Sequence, residues 1–272
     1  MSMHGRLLLI GCGKMGGAML RGWLRRGIRA DDVTVVEPNG AALADLIGQG
    51  VTLVGDAAQL PAGLAPAVVV LAVKPQMMDG AISALTGFAR PASVFLSIAA
   101  GRTIGYFEQN LGGAAAIVRS MPNTPAAIGR GITVACANRN VSDAQRAQCD
   151  DLLAAVGEVA WVEDETLLDA VTAVSGGGPA YVFLLIECLA EAGAAAGLPP
   201  ELAMRLARAT VCGAGELARL SAEPASALRQ NVTSPGGTTL EALKILIAAD
   251  GLQPLLTKAI AAATRRSREL AG

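Results

Sequence analysis

Histidine is almost absent from this chain of 272 residues, since the one copy, His4, precedes the first predicted strand. Catalytic triads and zinc motifs that need imidazole are therefore excluded, and we expect no metal site. The chain also lacks an excess of either charge, because its net charge is −1 and no run of lysine or arginine is present. The cluster Arg265, Arg266 and Arg268 fits the end of a helix, where cations are favourable. We expect no nucleic-acid partner.

Cysteine is sparse, with five residues and no Cys-x-x-Cys motif. An odd number without a disulfide framework is typical of a reducing compartment, so we predict a cytoplasmic protein. The apolar run at residues 7–10 is too short for a signal peptide. The longest apolar region, residues 180–198, contains Glu187 and Glu191, which favours a buried helix over a membrane span.

Hydrophobic residues make up 52% of the chain, which is enough for the cores of two domains. In residues 1–164, short apolar runs alternate with helical patterns, which predicts a doubly wound parallel sheet of the Rossmann type. The run Val68-Val69-Val70-Leu71 is continuous, as expected for a strand buried on both faces. Strands are predicted at 6–10, 33–36, 51–54, 67–73, 93–98, 115–119, 132–135 and 158–162, and helices at 15–26, 41–47 and 143–156.

Residues 165–272 show no alternating strand pattern and predict an all-helical domain. The predicted helix at 179–196 is apolar on nearly every side, and a domain this small cannot bury it alone. We therefore expect the helical domain to pack against a second copy of itself, as a dimerisation domain. The other helices are predicted at 166–174, 200–221, 240–248 and 252–270.

A nucleotide-binding fingerprint follows the first predicted strand. The residues Gly11, Cys12, Gly13, Lys14, Met15 and Gly16 fit the pattern G-x-G-x-x-G between that strand and an amphipathic helix. In this context, amides at the helix N-terminus hold the pyrophosphate of a dinucleotide. We predict that these six residues bind NADH or NADPH.

Glu37 lies at the exit of the second predicted strand, about 20 residues after the fingerprint. A carboxylate there accepts hydrogen bonds from the adenosine ribose and repels a 2′-phosphate, which favours NADH over NADPH. Pro38 and Asn39 are predicted to line the same exit. The alternative interpretation of Glu37 is a solvated glutamate at a strand end.

Two further strand ends are predicted to face the same crevice, since ligands of open α/β sheets bind beyond the carboxyl ends of the strands. Asn123 lies between Pro122 and Pro125, where it either offers its amide to the nicotinamide or only stabilises the turn. The other predicted lining residues are Ala72, Val73, Lys74 and Pro75 after the fourth strand, and Ala99, Ala100 and Gly101 after the fifth.

The segment Ser234-Pro235-Gly236-Gly237-Thr238-Thr239 indicates a site for a small carboxylic acid. Its glycines leave backbone N–H groups unshielded, and the apolar-periodic run that follows predicts the start of a helix. Unpaired amides and the helix dipole both favour a carboxylate there. The alternative is that Thr238 and Glu241 form a capping box, which serves the helix alone.

These motifs together resemble the pyrroline-5-carboxylate reductase family, nearly from end to end. The family usually has serine where Gly177 stands. The resemblance implies a Rossmann domain, a helical dimerisation domain, and dimers that often assemble into decamers. Beyond the fingerprint it rests on Ala72-Val73-Lys74-Pro75, Met121-Pro122-Asn123-Thr124-Pro125, Asp169-Ala170-Val171-Thr172, Ser175-Gly176-Gly177-Gly178-Pro179-Ala180-Tyr181 and Val232-Thr233-Ser234-Pro235-Gly236-Gly237-Thr238-Thr239.

The resemblance also implies roles for single residues. Thr239 would be the catalytic residue, with its hydroxyl directed at the ring nitrogen of the substrate. Asn231 is at a position associated with cofactor, and Glu165 at one associated with substrate. The residues implied to hold the substrate are Glu165, Ser234, Gly236, Gly237, Thr238 and Thr239.

The implied reaction is hydride transfer from NAD(P)H to the C=N bond of 1-pyrroline-5-carboxylate, giving L-proline in the last step of proline biosynthesis. A protonated imine brings its own proton, so the enzyme needs mainly orientation, and the lack of histidine fits. One alternative is a related β-hydroxyacid dehydrogenase or imine reductase, which places a lysine or aspartate in the helical half, where Lys244 and Lys258 are the only lysines. The other is a non-enzymatic nucleotide sensor of the same fold.

Overall fold

The computed structural model describes residues 5–271, so His4 lies outside the described part of the chain. Contacts between Cα atoms divide the chain into two compact units. The first unit runs to Gly176 and is rejoined by the chain from Ala263, and the second unit is Gly177–Ala262.

The contact boundary differs from the predicted domain limits of 1–164 and 165–272. Leu168 is fully buried in the core of the first unit. Asp169 accepts a hydrogen bond from Ser267 at 2.7 Å, which ties the last part of the chain to the first unit as well. The first unit therefore includes a short segment beyond residue 164 and the C-terminal end.

An eight-stranded sheet forms the frame of the first unit. All eight predicted strands are present, with ends that shift by at most two residues. The strands are β1 (Arg6–Ile10), β2 (Val33–Val36), β3 (Thr52–Val54), β4 (Pro66–Leu71), β5 (Val94–Ser97), β6 (Ala116–Met121), β7 (Gly131–Ala137) and β8 (Gly157–Trp161). They lie side by side in the order β3-β2-β1-β4-β5-β6-β7-β8, which is the Rossmann order with two strands added.

The direction of β7 corrects the prediction of a wholly parallel sheet. β7 runs antiparallel to β6, whereas β5 with β6 and β7 with β8 are parallel. The connection between β6 and β7 spans only residues 122–130. A crossover between parallel strands needs about a dozen residues or more, so the chain has to turn back beside β6.

The helices of the first unit are α1 (Lys14–Arg25), α2 (Ala44–Ile47), α3 (Met78–Ile82), α4 (Ile104–Leu111), α5 (Asp143–Ala154) and α6 (Leu167–Val171). Of the predicted segments, 41–47 is half 3-10 helix and half α2, and the one at 166–174 is α6 followed by a π-helical turn. The sequence did not predict α3 or α4, because helices this short show little apolar periodicity.

Both faces of the sheet are covered by helices. In β1, Leu7 and Leu9 pack in the layer that contains α1, α2 and α5. Leu8 and Ile10 pack in the opposite layer, with α3, α4 and α6. Trp23 of α1 is fully buried and donates its indole N–H to a carbonyl of α5 at 2.8 Å. The continuous apolar strands are thus explained by burial on both faces.

The second unit contains α7 (Gly178–Ala195), α8 (Pro200–Leu220), α9 (Ala225–Asn231), α10 (Thr238–Leu246) and the first part of α11 (Leu252–Ala271). The short helix α9 was not predicted, and the other four were. No strand occurs between residues 177 and 262, all of which the structure describes.

Most of the apolar surface of α7 is uncovered in the single chain. The helix packs against α8, where Gly193 meets Ala203, and Ala190 is its one buried residue among those described. Phe183 and Leu184 are more than half exposed. By length and composition alone, the stretch Leu167–Ala195 would also suffice to cross a membrane. The predicted burial of this helix therefore requires a partner from outside the chain.

Candidate active site

The fingerprint turn is built so that only glycine fits at two positions. Gly11 has a φ of +85°, and a Cβ there would lie 3.0 Å from the carbonyl oxygen of Ala72. A Cβ on Gly16 would lie 2.6 Å from the carbonyl oxygen of Gly11. β1, α1 and the exit of β4 therefore approach each other closely. Among the residues that the structure describes, the amides at the start of α1 donate to no acceptor. This is the geometry that a dinucleotide pyrophosphate needs.

A groove of about 590 Å³ runs along the carboxyl ends of β1 to β4. It brings together the fingerprint, the exit of β2 and the exit of β4, which the sequence predicted separately. Its volume and its glycine cradle fit a dinucleotide. The predicted residues that line it are Gly11, Gly13, Glu37, Pro38, Ala72, Val73 and Lys74.

Asp56 also lines this groove, and the sequence analysis did not identify it. It follows β3, the strand that pairs with β2 at its edge. Its carboxylate accepts a hydrogen bond from the amide of Ala58 at 2.8 Å, which fixes the turn. The signal that would have found it is topological, because the exits of neighbouring parallel strands meet at one edge of the sheet.

The Glu37 carboxylate is held by the backbone on both sides. Its Oε2 accepts a hydrogen bond from the amide of Cys12 at 2.8 Å, and its Oε1 accepts one from the amide of Asn39 at 3.0 Å. The Glu37 side chain is therefore hydrogen-bonded to the fingerprint turn and is not freely solvated. Burial, followed by the nearby Glu37 carboxylate, raises the pKa of the Cys12 thiol to about 11.

A second cavity of about 530 Å³ lies along α1 and shares Gly13 and Glu37 with the groove. Three cationic side chains line it, those of Lys14, Arg21 and Arg25. Arg21 forms an ion pair with Asp45 at 2.5 Å, and this contact raises the pKa of the guanidinium. Glu37 thus lines both the groove and a cavity with three cationic side chains.

The predicted residues after β4 and β5 are tied to each other by Arg102. Its guanidinium donates to the carbonyl of Pro75 at 3.1 Å and to the carboxylate of Asp79 at 3.0 Å. Gly101 has a φ of +72°, and a Cβ there would lie 3.1 Å from the carbonyl oxygen of Leu270, in the last turn of α11. Ala99 and Ala100 lie between β5 and this turn. The exit of β5 is therefore a closely packed backbone segment.

Asn123 has structural partners for both ends of its side-chain amide. Its Oδ1 accepts a hydrogen bond from the amide of Ile132 at 3.0 Å, and its Nδ2 donates to the hydroxyl of Ser175 at 3.1 Å. These contacts favour the turn-stabilising interpretation. Contact with nicotinamide stays a prediction.

Glu165 lies just before α6 and is one-quarter exposed. Its Oε1 accepts two hydrogen bonds, from Arg119 Nη1 at 2.7 Å and from the amide of Ile104 at 2.8 Å. Within the described part of the chain, its Oε2 has no hydrogen-bond partner. One oxygen of the predicted substrate ligand is therefore fixed and the other is unoccupied.

The predicted carboxylate site lies in the second unit, at the start of α10. The N-cap residue is Gly237, not Thr238, so Thr238 is the first helical residue and the capping-box alternative is wrong. Glu241 instead accepts a hydrogen bond from Lys244 at 2.7 Å. In the part of the chain that the structure describes, the backbone N–H groups of Thr238 and Thr239 donate to no acceptor. The helix start therefore presents two unpaired amides.

The turn before α10 requires glycine at position 236. Gly236 has a φ of +69°, in the left-handed region, and a Cβ on Gly237 would collide with the Ser234 hydroxyl. Asn231, at the end of α9, donates to the Glu223 carboxylate at 3.2 Å and is exposed. The predicted site residues thus form two sets, one in each compact unit.

Comparison with known proteins gives matches to both halves of the chain. Residues 165–270 match the family model for pyrroline-5-carboxylate reductase dimerisation, and residues 6–101 match the model for coenzyme F420-dependent NADP oxidoreductases. The chain is 40% identical over 267 residues to the pyrroline-5-carboxylate reductase of Pseudomonas aeruginosa, covering 98% of this chain and 97% of that protein.

Two solved structures are similar over the whole chain. The pyrroline-5-carboxylate reductase of Coxiella burnetii has a TM-score of 0.91 and 36% identity, covering 98% of this chain and 99% of that one. The pyrroline carboxylate reductase of Plasmodium falciparum, solved with NADP bound, has a TM-score of 0.83 and 28% identity, covering 99% of each chain. These matches support a nicotinamide cofactor, a small-molecule substrate and self-association.

Proposed function

The chain belongs to the pyrroline-5-carboxylate reductase family, and on that premise we propose that it reduces the C=N bond of 1-pyrroline-5-carboxylate to give L-proline. The observation that carries the proposal is the start of α10, where the amides of Thr238 and Thr239 are unpaired. The substrate carries a carboxylate next to its imine.

The residues at the start of α10 bind and orient the substrate. The amides of Gly236, Thr238 and Thr239 and the hydroxyl of Ser234 hold the carboxylate, helped by the positive end of the helix dipole. Gly237 shapes the turn instead, because its amide already donates to the carbonyl of Ser234 at 3.1 Å. Thr239 donates or accepts one hydrogen bond at the ring nitrogen. A threonine hydroxyl is a poor acid, so the proton is already on the imine or comes from water. Orientation of this kind contributes up to ~7–11 kcal/mol in favourable cases.

A bound nicotinamide cofactor supplies the hydride. The fingerprint residues and the strand exits hold it along the sheet, with Met15, Ala99, Ala100, Gly101, Asn123 and Asn231 as further ligands. Glu165 uses its unoccupied Oε2 toward the substrate. These roles require that the start of α10, in one subunit or its partner, meets the nicotinamide end of the groove.

We further propose NADH as the preferred cofactor. The carboxylates of Glu37 and Asp56 both line the groove, and a 2′-phosphate would be repelled by them. The Plasmodium falciparum relative was solved with NADP bound, so this preference is proposed for the present chain and not for the family.

The proposed active form is a cytoplasmic dimer built through residues 165–272, with a decamer as the larger assembly that the family resemblance implies. The uncovered apolar face of α7 supports this interface. Residues 1–164 act as the dinucleotide-binding domain.

Oxidation of NADH and of NADPH in the presence of 1-pyrroline-5-carboxylate tests the function. We expect turnover with both cofactors and a higher kcat/KM with NADH. An open-chain 3-hydroxy acid, offered with NAD⁺ in the reverse direction, is the control for the related dehydrogenases. Oxidation of the hydroxy acid without imine reduction would refute the proposal, and cofactor binding without either reaction would indicate a sensor.

A further inference from the structure

Arg119 is a buried cation in the wall of the first unit. It lies on β6, is 3% exposed, and forms an ion pair with Glu165 through Nη1 at 2.7 Å. Among the described residues, its Nη2 is buried without any hydrogen-bond partner. A guanidinium with one unpaired buried donor is costly, so this arrangement calls for a reason other than stability.

The ion pair leads to the start of a helix. The same Glu165 oxygen that contacts Arg119 accepts the amide of Ile104, the first residue of α4. The N-cap of α4 is Thr103, whose hydroxyl accepts the amide of Tyr106 at 3.1 Å. α4 thus begins three residues after Gly101, the last residue of the segment Ala99, Ala100 and Gly101, and its first turn is fixed by Glu165 and Thr103.

That segment follows β5, on the side of β1 where the nicotinamide half of a bound dinucleotide would lie. β2, which carries Glu37 for the adenosine ribose, lies on one side of β1, and β4 and β5 lie on the other. A dinucleotide whose pyrophosphate rests on the turn after β1 therefore extends its nicotinamide toward the exits of β4 and β5. Movement at the start of α4 would change the nicotinamide end and leave the adenosine end as it is.

We propose that Arg119 is a positioning residue for the nicotinamide. It fixes the Glu165 carboxylate, which fixes the start of α4, which in turn holds the exit of β5 in place. Arg119 contacts neither substrate nor cofactor. The inference rests on the proposed function only for the identity of the imine, because cofactor positioning is measurable without it.

The test compares NADH with ADP-ribose, which lacks the nicotinamide. We expect Arg119→Met to weaken NADH binding about tenfold and to change ADP-ribose binding less than twofold. Arg119→Lys keeps the charge and should restore most of the NADH affinity. The matched control is Arg146→Met, which removes a partly exposed arginine paired with Glu163 and should change neither affinity. Equal weakening of both ligands, or no change in either, would overturn the proposal.

A double-mutant cycle identifies the route. If Arg119 acts through Glu165, the variant Arg119→Met/Glu165→Gln binds NADH no more weakly than Glu165→Gln alone. Additive losses would show that Arg119 acts by another path. Should Arg119→Met fail to fold, Arg119→Lys and Glu165→Gln carry the same comparison. A protein that positions NADH in this way yet does not reduce 1-pyrroline-5-carboxylate would refute the proposed function and leave this inference standing.

Discussion

The amide of Cys12 donates a 2.8 Å hydrogen bond to Glu37 Oε2, so the carboxylate at the exit of β2 is joined to the fingerprint turn. The second oxygen is held by the amide of Asn39. A charge fixed by two backbone amides cannot move aside for a 2′-phosphate without breaking them. On this basis we predict that Glu37 is the main determinant of cofactor preference.

The substitution Glu37→Arg should therefore reverse the cofactor preference. We expect the ratio of kcat/KM for NADPH over NADH to rise at least tenfold, since a repulsive charge is replaced by an attractive one. Steady-state kinetics with both cofactors measure the ratio. Glu163→Arg makes the same change of charge at an exposed site and should leave the ratio as it is. If Glu37→Arg also leaves this ratio unchanged, the proposed role of Glu37 in cofactor preference is wrong.

Removal of the Thr239 hydroxyl should slow imine reduction and leave cofactor binding unchanged. We expect Thr239→Ala to lower kcat/KM for the imine about tenfold or more, through loss of one positioned hydrogen bond, while NADH affinity is retained. Thr239→Ser keeps the hydroxyl and should retain most of the activity. Unchanged imine-reduction kinetics in Thr239→Ala would remove Thr239 from the mechanism.

The hydrogen-bonded link between the exits of β4 and β5 predicts an equal change in KM for both cofactors. Arg102 donates to the carbonyl of Pro75 and its guanidinium lies 4.4 Å from the ring centroid of Tyr106. Loss of this side chain in Arg102→Ala should raise the KM for NADH and for NADPH alike, by a few-fold. The reason is that Arg102 holds the exit of β4 in place and is not expected to contact the 2′-phosphate that distinguishes the two cofactors. A change in the ratio of the two KM values would contradict this role.

The strands were predictable because burial on both faces leaves continuous apolar runs, as in Val68-Val69-Val70-Leu71. The direction of β7 was not predictable, because it depends on the length of the connection from β6 and not on the sequence of the strand itself. The start of α10 shows the same limit. Gly237 has an extended backbone and takes the N-cap position, so Thr238 is already helical and its hydroxyl has no capping role.

The site was predictable where one local motif carries it, as in the fingerprint and the glycine turn. It was not predictable where distant residues meet. Arg119 and Glu165 are 46 positions apart, and no local pattern marks their ion pair. Asp56 reaches the groove only because β3 lies beside β2.

Stability at alkaline pH should depend on a buried thiol. Burial raises the pKa of Cys149 to about 12 from an ordinary value of 9.0. Because the folded-state pKa is raised, this contribution is fully present below pH 9 and is lost as the pH rises through about 12. We expect Cys149→Ala to show a smaller loss of unfolding free energy across this window than the wild type. The exposed Cys212→Ala is the control, and an identical slope in Cys149→Ala would contradict the prediction.

The uncovered face of α7 predicts how the chain self-associates. Phe183 and Leu184 are 58% and 56% exposed in the single chain, and each exposes an apolar side chain that a second copy would cover. A charge introduced there has to be desolvated in the interface, so Phe183→Glu should shift the protein from dimer to monomer, as measured by light scattering during size-exclusion chromatography. Ile47→Glu makes the same change at an exposed residue of α2 and should leave the dimer intact. A dimer that survives Phe183→Glu and Leu184→Glu together would place the interface elsewhere.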